Sequence, residues 1–319
     1  MPQAPLRILV IGAGVIGSVY AAWLQMSGHQ VTILARGQHL VDLQDHGLII
    51  EDTGTGRLLT TPIATLDHLA PDDAYDLLIV AVRLEQVTDI LPLVTANTAT
   101  PLVLFLLNNA FGAEQFTQAV GRERVVLGFP GIGGRREGST TRFYVLPQQP
   151  TTLGEVNGQI TSRLRKLAAL ITATGHPVTI TTQIDAWLKT HAVFVTCMAA
   201  AIDQCGGDSV RLAHTRTAVA TMVRAIHEGF RALQAQGVPV TPRNLAVLFG
   251  WMPSWFAVHY WQQALRGPVG TLAIAPHARA ARSEMVALAA QVLTLLQPSP
   301  LPTPTLHQML ATFTTSPGD

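Results

Sequence analysis

Charge is scarce in this chain and nearly balanced: Asp, Glu, Lys and Arg make only 13% of 319 residues, and 21 basic against 20 acidic residues leave a net charge of +1. Polyanions are bound through clustered cations, so without a basic face neither nucleic acid nor a membrane surface is expected as a partner. Cysteine is rarer still. Cys197 and Cys205 are the only two, too few for a disulfide framework and without CxxC or Cys/His ligand spacing, so two thiols in a reducing, cytoplasmic setting are expected. The 11 histidines form no HExxH or equivalent pattern, so no metal is indicated. Long uninterrupted apolar runs are missing as well. The apolar stretch of residues 6–24 is cut by Gly12, Gly14 and Gly17 and has no basic leader, which argues against a signal peptide or anchor. What remains is a globular composition, 48% hydrophobic, long enough for two ordinary domains.

The two halves differ in texture. In the first, short apolar, β-branched runs at residues 6–11, 30–34, 76–82 and 102–107 leave room for helices between them, the spacing of βαβ units on a parallel sheet. Further runs at 125–129, 143–146 and 177–181 and a helical stretch over 158–174 complete that half. From Asp185, a candidate N-cap, helical patterns take over: 186–202, then 211–236 as one long helix, then a group over 242–296 punctuated by Pro253, Gly267–Pro268 and Pro276. The proline-rich stretch 297–304 reads as extended. The expectation is an α/β protein, a Rossmann-like parallel-sheet domain over residues 1–183 for a dinucleotide and an all-α domain over 184–319 for substrate and dimerisation.

The first run ends in Gly12-Ala13-Gly14-Val15-Ile16-Gly17, a G-x-G-x-x-G set directly between a strand and a helix. The first glycine permits a tight turn, the second lets backbone amides approach a pyrophosphate, and the third allows close helix–strand packing. NAD enzymes usually place a carboxylate at the end of the second strand. Here that end reads Leu34-Ala35-Arg36-Gly37, with no acidic residue between Gly12 and Asp42. A guanidinium at Arg36 suits the 2′-phosphate of NADPH instead, and Arg83 is a second candidate for the cofactor's anionic parts.

At this point the chain resembles the ketopantoate reductases, which reduce 2-dehydropantoate to pantoate with NADPH. The resemblance rests on IGAGVIGSVYAAWL, on VTILARGQHL, on Ala81-Val82-Arg83, on LLNNAFGAEQ at 106–115 and on GFPGIGGRREG at 128–138. It implies that Asn109 contacts the nicotinamide ribose and orders the active site, and that Gly134 borders the cofactor. Asn109 also follows a strand's carboxyl end, where a parallel sheet places ligands. The resemblance puts Trp187-Leu188-Lys189 on the helix that carries the family's catalytic lysine, with the active site in the cleft between domains.

Lysine is nearly absent here: nineteen arginines stand against Lys166 and Lys189 alone, and Lys189 sits among Trp187, Leu188, Val193 and Phe194. Guanidinium hardly gives up a proton, so arginine could not easily replace this lysine as an acid. Hydride addition to a 2-oxo acid leaves charge on oxygen, which an ammonium stabilises and protonates; Lys189 is therefore expected to be the general acid. The family's substrate-gripping asparagines, one and two turns further on, are here Val193 and Cys197. Residues 254–271, which correspond to the region of the family's glutamate, hold no carboxylate, leaving Glu284 and Glu228 as replacements. His191, His259 and His277 with Trp251, Trp255 and Trp261 are available for a more apolar pocket. The expected partner is a small 2-oxo acid, with ketopantoate first, then another 2-oxo acid or a bulkier carbonyl compound; a sensor that binds NADP(H) without turnover is the rival. The apolar second half also suggests a homodimer.

Overall fold

The structure, a computed structural model, describes residues 4–315 apart from the side chains of Ala273 and His277. It divides into two units: residues up to 107 with Ala113–Ile184, and Asn108–Gly112 with residues from Asp185 onward. The sequence expectation sets a single boundary after residue 183. The helical unit also claims five residues from the middle of the first.

In the first unit β1 (Arg7–Ile11) leads through the glycine turn into α1 (Val15–Met26), β2 (Gln30–Leu34) and α2 (Gln38–His46). There follow β3 (Leu48–Asp52), β4 (Arg57–Thr61), β5 (Ala64–Leu66), β6 (Leu77–Val80), α3 (Val87–Ala96) and β7 (Val103–Leu106). Next come α4 (Glu114–Val120), β8 (Val125–Phe129), β9 (Ile132–Glu137) and β10 (Thr140–Val145). β11 (Thr151–Glu155), α5 (Ser162–Thr172) and β12 (Val178–Ile180) close the unit.

Eight strands form one sheet in the order β12-β11-β8-β7-β6-β1-β2-β5, parallel except where β11 meets β8. Its centre is fully apolar because both faces are covered: Ile8, Leu9, Val10 and Ile11 have no exposure. The chain leaves β1 for β2 on one side and returns at β6 on the other. Such a reversal opens a crevice at the strands' carboxyl ends, where doubly wound sheets bind ligands.

A second sheet, β4-β3-β10-β9, packs on α1, and its strands β3, β4 and β9 were not anticipated. β9 holds Gly133-Gly134-Arg135-Arg136, a glycine and charge run with no alternating apolar signature. Pairing to β10 supplies what the side chains do not. Gly134 is needed here for space, since a Cβ would lie 2.1 Å from the Arg142 carbonyl oxygen. α1 in turn stacks Trp23 on His176, with ring centroids 3.3 Å apart. On β11 the carboxylate of Glu155, 3% exposed, receives both arms of Arg163 from α5, at 2.8 and 2.6 Å.

The second unit is helical: α6 (Ile184–Gln204), α7 (Ser209–His214), α8 (Arg216–Ala235), α9 (Arg243–Gly250) and α10 (Ser254–Arg266). A π-helical stretch (Val269–Ile274) leads into α11 (Ala275–Ala280), α12 (Arg282–Leu296) and α13 (Pro304–Thr315). Three sequence expectations change, and one element is added. Asp185 lies inside the first turn of α6 and does not cap it. The helix expected over 211–236 is two, broken at Thr215, and the first of them begins earlier, at Ser209, where Asp208 caps α7 by accepting the Val210 and Arg211 amides. Pro276 opens α11 and does not punctuate it, as suits a residue whose missing N–H is no loss in a first turn. The proline-rich stretch gives way at Pro304 to α13, whose Thr305 and Leu306 amides donate to Glu228 at 2.8 and 3.1 Å. Among the described residues no helix is long and apolar enough to cross a membrane.

Candidate active site

On the first unit, β1 ends between its two neighbours. Gly12 donates its N–H to the Leu34 oxygen at 3.3 Å, and the Ala81 N–H donates to the Ile11 oxygen at 2.9 Å. Arg36 and Arg83 each lie two residues beyond those contacts, so the ends of β2 and β6 carry one guanidinium to either side of the glycine turn. Arg36 is exposed and forms no ion pair among the described residues. Arg83 opens a short 3₁₀ turn (Leu84–Gln86), its N–H donating to Gln86 Oε1 at 3.0 Å.

The three glycines do different work. Gly12 has φ +109°, and a Cβ there would lie 2.5 Å from the Ala81 carbonyl oxygen; a Cβ on Gly17 would lie 1.9 Å from the Gly12 carbonyl oxygen. Both are demanded by packing. A Cβ on Gly14 would meet nothing within 4 Å, so its side lies open over the amino end of α1, and that first turn holds no acidic residue. Ala13, Val15 and Ile16 complete a loop that fits a pyrophosphate: open above, amide-rich, at a positive helix end.

Sequence reasoning missed two neighbours. Arg136 pairs with Asp42 at 2.5 Å. Burial first, then the Arg136 guanidinium, push His39 below the usual imidazole value; Asp42 opposes this and Arg83 adds to it. A lone histidine at a helix start gives no such signal in sequence. Gly134, expected to border the cofactor, lies in the β9–β10 pairing described above.

The second unit gathers Lys189, Asn109 and their supports. Lys189 donates to Asp185 Oδ2 at 2.6 Å, one turn back on α6, and its side chain is 17% exposed against 47% for Asp185. Beside the pair runs Asn108–Gly112. Asn109, 2% exposed, turns its side chain onto its own loop: Oδ1 accepts the Phe111 and Gly112 amides at 3.0 and 3.2 Å, while Nδ2 donates to the Gly112 oxygen. It is the keystone of a tight turn. At that turn Gly112 has φ +86°, and a Cβ would lie 2.3 Å from Asp185 Oδ1 and 3.9 Å from Lys189 Nζ.

α12 holds the same segment from outside. Asn108 Nδ2 donates to Glu284 Oε1 at 2.8 Å, and Gln291 Oε1 accepts the Ala110 amide at 3.2 Å. Of the two carboxylates considered from sequence, the buried Glu284 attends the Asn109 loop, whereas Glu228 caps α13. Val193 and Cys197 have no exposure. Val193 packs towards Gly229 and Leu306, so the stripe that begins at Asp185 and Lys189 runs on into the helical core and offers no surface there. Trp187 and His191 stack at 5.2 Å, and Phe194 meets Trp261 at 5.2 Å; Trp251 and Trp255 are exposed. The side chain of His277 lies outside the described residues. Among the described residues no group of three or more His, Cys, Asp or Glu is arranged to hold a metal ion.

Residues 8–158 match the family described as Ketopantoate reductase PanE/ApbA. The uncharacterized oxidoreductase YkpB of Bacillus subtilis (strain 168) is 24% identical over 243 residues, 74% of this chain and 78% of that protein. The 2-dehydropantoate 2-reductase of Pyrococcus horikoshii is 28% identical over 120 residues, 36% of this chain and 37% of that protein. Among solved structures, 2-dehydropantoate 2-reductase from Geobacter metallireducens GS-15 superposes with a TM-score of 0.78 at 19% identity, covering 97% of this chain and 99% of that one. D-mandelate dehydrogenase, in complex with NADH and anilino(oxo)acetate, gives 0.77 at 15% identity and 97% coverage of both chains. The family match lies within residues 8–158, while the likeness to YkpB and the likeness in fold reach beyond them. Residues 8–158 are thus similar to the ketopantoate reductases, a family of nicotinamide-dependent oxidoreductases, and across nearly its whole length the chain shares the fold of that family's solved structures.

Proposed function

We propose that this protein reduces a 2-oxo acid to the 2-hydroxy acid with NADPH, with Lys189 as general acid and 2-dehydropantoate as the first substrate to test. The observation that carries the reading is the setting of Lys189. It is one of two lysines in 319 residues, mostly buried, and held at 2.6 Å by Asp185 beside the Asn109 turn. Side chains with no chemical task are rarely given so much support.

The cofactor, when bound, supplies the hydride. Its pyrophosphate would lie over Gly14 at the amino end of α1, with Arg36 and Arg83 toward its other anionic groups. Within this chain Lys189 then has two tasks: its ammonium stabilises the negative charge that develops on the substrate oxygen, and it gives that oxygen a proton. Asn109 shapes the turn next to that ammonium, and Glu284 with Gln291 keeps the turn in place. A domain for dinucleotide and a helical domain for substrate follow from this division of labour.

A second reading, reduction of a bulkier or aryl 2-oxo acid, is favoured by one observation. The positions of the family's gripping asparagines are Val193 and Cys197, both buried, and the structurally similar D-mandelate dehydrogenase was solved with anilino(oxo)acetate. The test is NADPH oxidation by purified protein with 2-dehydropantoate, phenylglyoxylate and a panel of other 2-oxo acids, beside NADH and Lys189→Ala. Turnover of 2-dehydropantoate that falls by about 10²-fold or more in the variant supports the first reading. Turnover of aryl substrates alone moves the assignment to the second. Tight NADPH binding with no oxidation of any compound sinks both in favour of a sensor.

A further inference from the structure

We propose that Asp185 is a positioning residue for Lys189, holding the ammonium charged and aimed for proton delivery. The proposal rests on the reading of Lys189 as proton donor. An Asp and a Lys four residues apart on an exposed helix contribute little by themselves. Three features set this pair apart. Lys189 is mostly withdrawn from solvent, so its ammonium depends on the carboxylate for what water no longer provides. The second oxygen of Asp185 faces Gly112 so closely that no side chain fits there. The segment bearing Gly112 is itself fixed, by the hydrogen bonds of Asn109 within it and by Glu284 and Gln291 behind it.

One carboxylate thereby serves two partners, with Oδ2 on the ammonium and Oδ1 against the turn. Lys189 is paired with Asp185 on its own helix, and Glu284 on α12 bonds Asn108 of the uncharged Asn108–Gly112 segment. In each turnover an N–H bond of Lys189 breaks, an O–H bond forms on the substrate oxygen, and the neutral amine regains a proton from water. Asp185, nearly half exposed, keeps that amine beside solvent and restores the pair.

The scarcity of lysine makes the test direct. Protein grown with lysine ¹³C-labelled at Cε gives two lysine signals, and Lys166→Arg identifies the exposed one. In the unliganded protein at neutral pH, Asp185→Asn should displace the Lys189 Cε signal, and Asp185→Glu should hold it near the native position. In turnover, Asp185→Asn should cut kcat roughly tenfold with KM little changed, and Asp185→Glu should restore most of it. Gly112→Ala, which keeps every charge but displaces the carboxylate, should act in the same direction, and it serves should Asp185→Asn fail to fold. An unmoved Lys189 signal in the Asn variant, or in the Ala variant if the first does not fold, overturns the proposal. A Lys189→Ala variant that keeps full activity overturns the proton-donor reading instead, and the response of the Lys189 signal to Asp185→Asn still decides whether the pair exists.

Discussion

Arg36 bears the clearest single-residue consequence. It stands where an NAD-selective protein would present a carboxylate, is exposed, and has no competing ion pair among the described residues. Loss of one charge-assisted contact to a 2′-phosphate is worth roughly ten- to a hundredfold in affinity. Arg36→Ala should therefore weaken NADPH by that factor while leaving NADH within about twofold, as fluorescence titration of both cofactors would show; equal losses for the two would remove Arg36 from that role. The glycines were legible because packing constrains residue type: only glycine fits at Gly12 and Gly17. Asn109 was legible as a residue and not as a conformation. Which groups an amide meets depends on how its own loop closes, and its three partners lie within three residues of it.

At the scale of elements, the Glu155–Arg163 bridge ties β11 to α5. Burial pushes the Glu155 carboxyl up, but the hydrogen bonds from Arg163 and Thr161 more than offset this, so it titrates below the usual carboxylate range. A depressed carboxyl stabilises the fold above its unfolded value and loses that contribution as pH falls. Arg163→Met strands the charge and should cost about 3 kcal/mol near neutrality. The gap in Tm between the two proteins should narrow on acidification towards pH 4; a gap independent of pH would show that the bridge contributes packing alone. Elements that bury a continuous apolar stripe were readable, as β1, β2, β8 and α6 illustrate. Those specified by partners were not: β9 is paired through its backbone, and α13 follows a proline-rich stretch and is capped by Glu228, 77 and 78 residues before the Thr305 and Leu306 amides.

For the whole molecule, both cysteines sit in the helical unit, Cys197 with no exposure and Cys205 with 7%. Burial pushes both thiols up, Cys197 strongly and with the charge of Glu228 adding to it. In native buffer neither should react with a thiol reagent at pH 8, and in denaturant two per chain should react; rapid native labelling would show that the helical unit opens locally. The same unit exposes Trp251 and Trp255. With that surface in view we expect a homodimer, for which light scattering would return twice the 34.2 kDa chain mass; a mass of one chain would end the expectation.

The five residues Asn108–Gly112 have a consequence for anyone who treats the two units as exchangeable modules. The polypeptide passes from one unit to the other at three places, after Leu107, after Gly112 and after Ile184. A chimaera spliced only at the last of these would pair a foreign α12 with a native turn, and Glu284 and Gln291 would lose their partners. The helical unit can be transplanted between relatives intact only if this short loop travels with the helices, so the smallest exchangeable folding unit is discontinuous in the gene.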